Sequence, residues 1–378
     1  MRTLNLGDLK ARIPIVQGGM GVGISLSGLA SAVAKEGGIG VISAAGLGLV
    51  YKKLCPENYT KAGNLGLIEE IRKAREKAKG IIGVNIMVAL SDFAELVKTS
   101  IAEKVDVIFS GAGLPLDLPA FLKKDSVTKL VPIVSSARAL RLIAEKWKTH
   151  YDYLPDAVVL EGPKAGGHLG YKVNQLTDNR YSLEELLPQV VSEAKSLEER
   201  FHKPIPVIAA GGIYTGEDIE RMMQLGASGV QLGTRFVTTV ECDASEAFKQ
   251  QYIQAEEKDI EIIQSPVGMP GRAIHCNFLE KVKAGLKQPK ACPFNCIKTC
   301  DVVHSPYCIV SALYQAFKGN FEQGYAFCGS NAWRASRIMT VHDTIAELIE
   351  GWQRAIRLLY SQDQQRITSF FIAHGFEK

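Results

Sequence analysis

Residues 206–236 read PVIAAGGIYTGEDIERMMQLGASGVQLGTRF. Two short apolar runs, 206–209 and 229–232, bracket a helical pattern at 216–225. Each run empties into glycine: Ala210-Gly211-Gly212-Ile213 after the first, Gly233-Thr234-Arg235-Phe236 after the second. The helix carries a start signal, with Thr215 as N-cap and Glu217 and Asp218 in its first turn. Strands apolar on both faces, joined through a helix, are the signature of a parallel pair with a right-handed crossover.

Six more such runs precede this unit, at 13–16, 39–42, 81–84, 105–109, 130–134 and 157–160, with helical patterns at 26–35, 67–79, 137–146 and 183–200. Eight alternating units place the chain in the α/β class and favour a closed (β/α)8 TIM barrel over an open doubly wound sheet. A barrel needs about 250 residues, and the chain has 378. The expected division is a barrel over 1–240, a smaller, mainly helical inserted domain over 241–330 covering the mouth, and a terminal segment, 331–378, whose helix returns to the barrel. Within the insert, 244–263 reads as one long helix and 265–272 as a Pro/Gly-rich loop.

Composition narrows the function. A net charge of +4 from 44 basic and 40 acidic residues argues against nucleic acid or a membrane surface as partner. The N-terminus lacks the pattern of a signal peptide, and no apolar stretch reaches the roughly 18 residues of a membrane span. Eight cysteines, five of them from Cys276 to Cys308, are too sparse for a disulfide scaffold. A cytoplasmic protein with reduced thiols is expected.

Barrel active sites sit at the C-terminal ends of the strands, with phosphate often held after strands seven and eight. Gly211, Gly212, Gly233 and Thr234 stand there, where bare backbone amides can approach a phosphate. The other strand ends carry Gln17-Gly18-Gly19-Met20, Asn85, Ser135-Ser136, Gln231, and the turn from Glu161 through Gly167 and His168 to Gly170. Amide and hydroxyl groups of this kind suit the edge of a heterocycle. His168 is the proton-transfer candidate, since its ordinary pKa of about 6.5 lies near neutrality. Glu161 and Lys164 read equally as site groups or as solvated charges on the rim.

Five of these segments, in order, resemble the nitronate monooxygenase family (2-nitropropane dioxygenase-like), which includes the FMN-dependent enoyl-acyl carrier protein reductases of the second type. They are 17–20 (QGGM), 85–87 (NIM), 165–170 (AGGHLG), 209–213 (AAGGI) and 231–236 (QLGTRF). The resemblance implies FMN, its phosphate on Gly211, Gly212, Gly233 and Thr234, and its ring near Gly18, Gly19, Met20 and Asn85. His168 would then handle a substrate proton. It also implies a small-molecule substrate, either a nitronate oxidised with O2 or an enoyl thioester reduced by NAD(P)H. Acyl carrier protein and a second copy of the chain, as a homodimer, are further expected partners. The competing expectations are a non-flavin phosphate-binding barrel enzyme and a binding protein without catalysis.

The resemblance weakens at 276–330. There Cys292, Cys296 and Cys300 would share one face if the segment were helical, and Cys308 could complete a four-thiolate zinc or iron–sulfur site. Small buried hydrophobes are the alternative reading, and no metal is assigned from the sequence. Arg272 reads either as a partner for a substrate anion or as a salt bridge that fixes its loop.

Overall fold

The computed structural model describes residues 3–373, with side chains described through residue 359 and at 361. The strands run β1 (Leu4–Leu6), β2 (Leu9–Ala11), β3 (Ile15–Gln17), β4 (Ile39–Ser43), β5 (Ile81–Met87), β6 (Val107–Gly111), β7 (Lys129–Val134), β8 (Val158–Glu161), β9 (Gly167–His168), β10 (Val207–Ala210), β11 (Gly229–Leu232), β12 (Ile260–Gln264) and β13 (Pro270–Ile274). Eight of them, in the order β10-β11-β3-β4-β5-β6-β7-β8, close a parallel barrel, with β8 paired to β10 across the seam. The expected (β/α)8 TIM barrel is the fold. Strands β10 and β11 fall within a residue of the opening stretch of sequence. Strand β6 lies two residues later than its apolar run, because Ser110 and Gly111 continue the ladder without apolar side chains, and the Ser110 hydroxyl donates to the Ile86 carbonyl at 3.0 Å.

Alternation along each strand divides the core in two. Val16, Ile39, Val41, Val107, Phe109, Val131, Val159 and Ile208 point inward, while Ile15, Ile42, Ile108, Leu130 and Leu160 pack against the outer helices. The inner set also holds Leu4, Leu6 and Ala11 of the β1–β2 hairpin, which lies before the first apolar run and was not anticipated. Leu4 and Leu6 are almost fully buried; burial of a leucine side chain stabilises by about 1.5–3 kcal/mol.

The helix Gly216–Gln224 begins as expected. Thr215 Oγ1 accepts from the Asp218 N–H at 3.3 Å, and the Asp218 carboxylate accepts from the Thr215 N–H at 3.0 Å. Such a cap contributes about 1 kcal/mol. The C-terminal helix Val341–Ala373 lies against it so closely that a Cβ on Gly216 would meet the Trp352 nitrogen at 2.0 Å.

Two expectations for the mouth-covering segment are corrected. Residues 244–263 are not one helix: a helix spans Glu246–Gln254, and after a single turn the chain extends into β12. Strands β12 and β13 form a hairpin whose second strand pairs with β9, so the barrel's own loop supplies the third strand of this sheet. Cys292, Cys296 and Cys300 do not share a helical face either. No helix or strand element occurs between Lys283 and Ile309, where Pro, Asn, Thr and Ser break any helical run. Among the described residues, no helix is long and apolar enough to cross a membrane.

Candidate active site

A cavity of ≈ 380 Å³ opens at the C-terminal ends of the barrel strands, within the range of small-ligand sites. Its first wall is the turn after β3. Gly18 and Gly19 are bare there for lack of space: a Cβ on Gly19 would lie 2.3 Å from the Asn85 Cβ, and one on Gly18 would lie 3.2 Å from Gln231 Cγ. Met20, Asn85 and Gln231 complete this side, and Ser135, after β7, lines the cavity from the opposite side of the barrel. Gln17 is an exception to the expected set. It is fully buried and does not line the cavity; its amide donates to the Val41 carbonyl at 3.2 Å and accepts from the Val41 N–H at 3.0 Å. Its polar end is used up in tying β3 to β4.

At one end, Gly211 and Gly212 turn the chain with φ of +96° and +86°, a region that favours glycine. Gly233 and Thr234 stand on the neighbouring turn, after β11, and line the same cavity. A third loop, 328–331, joins here. Its Gly329 N–H donates to Thr234 Oγ1 at 2.9 Å, the Asn331 side chain donates to the Gly212 carbonyl at 2.7 Å, and the Ser330 N–H donates to the Lys164 carbonyl at 3.1 Å. Ser330 lines the cavity, and its hydroxyl is buried without a hydrogen-bond partner. A buried hydroxyl left unpaired costs roughly 1–3 kcal/mol, which an oxyanion in this cradle would offset. The residues therefore fit a phosphate group. The sequence showed Gly-Ser-Asn as a turn composition, but nothing there aimed that turn at the barrel.

The turn after β8 carries His168, half-buried in β9. Its Nε2 lies 2.8 Å from Ser265 Oγ, and its ring meets Phe327 edge-on at 5.0 Å. Ser265 accepts from the Val267 N–H at 3.3 Å, so its own proton is free to donate to Nε2. Burial pushes the imidazole down to about 4, and the ring is neutral at pH 7. Glu161, at the tip of β8, lines the cavity too, and burial pushes its carboxyl up to about 7. It is a site group and not a solvated rim charge. Gly167, Lys164 and Gly170 complete the turn.

Arg272 has neither of its expected partners. It is buried outside the cavity wall, and its guanidinium donates to the Ala165 carbonyl, pinning the turn that carries Gly167 and His168. The apolar mouth comes from beyond the barrel: Phe248, Tyr252, Met269, Leu313 and Phe327. Phe248 and Tyr252 stand one turn apart on the helix Glu246–Gln254, while Met269, Leu313 and Phe327 come from three further segments that no spacing in the sequence joined to it.

Residues 3–351 match the family described as nitronate monooxygenase. Over 276 residues the chain is 29% identical to a 5-hydroxy-7a-methyl-1-oxo-octahydro-1H-indene-4-carboxyl-CoA dehydrogenase of Mycobacterium tuberculosis, covering 72% of this chain and 66% of that protein. The chain thus spans just under two thirds of that relative's length. A probable nitronate monooxygenase of Staphylococcus haemolyticus is 26% identical over 304 residues, 73% of this chain and 79% of that one. Among solved structures, FabK from Thermotoga maritima superposes with a TM-score of 0.71 at 26% identity, covering 93% and 96% of the two chains. A nitroalkane oxidase from Streptomyces ansochromogenes shares the fold, with a TM-score of 0.69 at 22% identity and coverage of 92% and 98%.

Proposed function

The chain belongs to the nitronate monooxygenase family, and from that premise we propose that it is an FMN-dependent oxidoreductase acting on small alkyl nitronates. The observation that supports this reading is one cavity lined by a phosphate cradle and also by a neutral imidazole and a carboxyl. When bound, FMN supplies the electron chemistry, taking electrons from the substrate and passing them to O2. Gly211, Gly212, Gly233, Thr234 and Ser330 hold its phosphate. Gly18, Gly19, Met20, Asn85, Ser135, Gly167 and Gln231 line the space for its ring.

The remaining groups act on the substrate. Ser265 fixes the His168 ring through Nε2, which leaves Nδ1 to hold or pass a proton at the substrate. A neutral ring can donate one hydrogen bond to a nitronate oxygen without first losing charge. Below pH about 7 Glu161 is largely uncharged, so it does not repel an anion entering the same cavity. Ionisation above that pH would raise KM for a nitronate.

A second reading is favoured by the apolar mouth of Phe248, Tyr252, Leu313 and Phe327. It is reduction of an enoyl thioester, with NAD(P)H as transient reductant and the acyl group delivered on coenzyme A or acyl carrier protein. Anaerobic spectra separate the two. Purified protein should carry FMN, released on denaturation, and an alkyl nitronate alone should bleach it. Bleaching only by NADH or NADPH would replace the first reading with the second. Protein that neither carries FMN nor binds it when added would overturn both.

A further inference from the structure

Among the described residues that line the cavity, Lys164 is the only lysine or arginine and Glu161 the only carboxylate. Two arginines adjoin the phosphate cradle along the chain, and both are committed elsewhere. Arg235, after Thr234, pairs with Glu347 at 3.1 Å, and Arg334, after the 328–331 loop, stands over the Tyr214 ring at 4.9 Å. Lysines of the barrel wall have partners too: Lys129 pairs with Asp8 at 2.6 Å and Lys203 with Asp156 at 2.8 Å. Lys164 makes no such ion pair among the described residues.

Its position is nonetheless fixed. The Lys164 carbonyl accepts from the Ser330 N–H at 3.1 Å, and the following N–H, of Ala165, donates to the Gly162 carbonyl at 3.1 Å. The side-chain stem lies on Gly212, where a Cβ would fall 2.9 Å from Lys164 Cβ and 3.1 Å from its Cδ. The bare glycine therefore makes the room in which the stem runs. A lysine laid along a surface in this way keeps its charged head in water while the stem packs. One residue thus joins the Gly211-Gly212 turn to the loop that carries the unpaired Ser330 hydroxyl.

The cradle's other groups are neutral: backbone N–H donors and the hydroxyls of Thr234 and Ser330. A phosphate monoester carries about −1.5 to −2 charges at pH 7. Neutral donors orient its oxygens but leave that charge uncompensated, and enclosing an unpaired charge is costly. Lysine serves phosphate sites as a point charge. We propose that Lys164 is the counter-charge of the cradle, and that through it the site selects flavin bearing a phosphate over flavin without one. The proposal rests on the FMN reading. Riboflavin, which ends in a neutral hydroxyl, gains nothing from the ammonium.

Fluorescence titration of the flavin-free full chain tests it, with FMN and riboflavin as the two probes. Lys164→Met should weaken FMN binding by roughly tenfold, the worth of one hydrogen bond to a charged group, and leave riboflavin binding unchanged. Added salt should lower the affinity of the parent for FMN and leave that of Lys164→Met nearly flat, since salt screens exposed charges. Lys164→Arg should keep most of the preference for FMN. Lys195→Met removes the same charge from an exposed site on the helix Leu183–Phe201, away from the cavity, and should match the parent with both probes. Parent-like FMN affinity in Lys164→Met, an equal loss for the two flavins, or the same loss of FMN in Lys195→Met would overturn the assignment of the counter-charge and leave the FMN reading standing. A parent protein that binds neither flavin would overturn both.

Discussion

The barrel and the segment that covers it contribute to the same cavity in different currencies. The barrel presents backbone: Gly18, Gly19, Gly211, Gly212 and Gly233 stand at strand ends, bare because neighbouring strands crowd them or because the turn requires positive φ. The covering segment contributes side chains that act on what the barrel presents. Ser265 holds His168, Phe327 backs it, and Ser330 and Asn331 complete the cradle at Gly212. A strand end is fixed by hydrogen bonds on both sides, so its backbone is the rigid part of the site. A cover packed from short elements is free to differ in the groups it places. On the proposed reading, the cofactor's place is set by the barrel, and selectivity for the substrate by the cover.

The largest expected effect falls where the two regions meet. His168→Ala keeps every phosphate-end contact, so FMN content should match the parent, while turnover should fall by about 10²–10⁴-fold, the usual contribution of a positioned proton-transfer group. Steady-state rates together with flavin content decide it. Unchanged turnover would remove His168 from the chemistry and leave Phe327 and Ser265 packed around a merely structural ring.

A smaller pair of effects compares the regions directly at the phosphate end. In Gly211→Ala the new Cβ would meet the Gly162 carbonyl at 2.8 Å with φ at +96°. Strain of about 1–3 kcal/mol should weaken FMN binding by roughly 5–150-fold and lower the melting temperature of the flavin-free protein as well. Ser330→Ala removes a hydroxyl that is buried without a partner, so the flavin-free protein should melt no lower than the parent. FMN binding should still weaken by roughly tenfold, the worth of one hydrogen bond to a charged group. Titration of both variants with FMN, with melting curves alongside, checks the contrast. If Ser330→Ala destabilised the flavin-free protein and left FMN affinity alone, the cradle would be wrongly composed.

The same division explains what could be read in advance. The eight strands were legible because a parallel strand covered on both faces must be apolar throughout, and β10 and β11 had almost no freedom to lie elsewhere. Of the site positions expected from strand ends, all but Gln17 and Ser136 line the cavity. Gln17 does not, because adjacent residues on a strand face opposite ways and its amide turns to Val41. The β1–β2 hairpin was missed because three-residue strands leave too few positions to show a period. The cover was the least legible. Ser265, Phe327 and Ser330 come from separate turns and strand ends, where side-chain direction is set by tertiary contacts and not by local pattern. The reading of 244–263 as one helix failed for a related reason: Ile260, Ile262 and Ile263 fit a strand as well as a helix, and pairing with β13 decided it.

A further expected effect concerns two buried groups of the cavity wall, read through the pH dependence of the flavin-free protein. His168 has its folded pKa lowered to about 4 from about 6.5, so the unfolded chain binds the extra proton between those values. Its contribution to stability is therefore lost as pH falls from 6.5 to 4. Glu161 has its folded pKa raised to about 7 from about 4.3, and there the folded protein binds the extra proton. Stability from this group is lost as pH rises from 4.3 to 7. Between about pH 4.5 and 6.5 the two slopes oppose each other and nearly cancel. Glu161→Gln should expose the histidine slope, so that stability relative to the parent rises from pH 4.5 to 7. His168→Ala should expose the carboxyl slope, so that relative stability falls as pH rises from 4 to 6.5. Melting temperatures of parent and variants, taken across this range in one buffer series, give both differences. Parallel curves would mean that neither group is held from water in the folded protein, and the contrast between the two regions would then rest on the phosphate end alone.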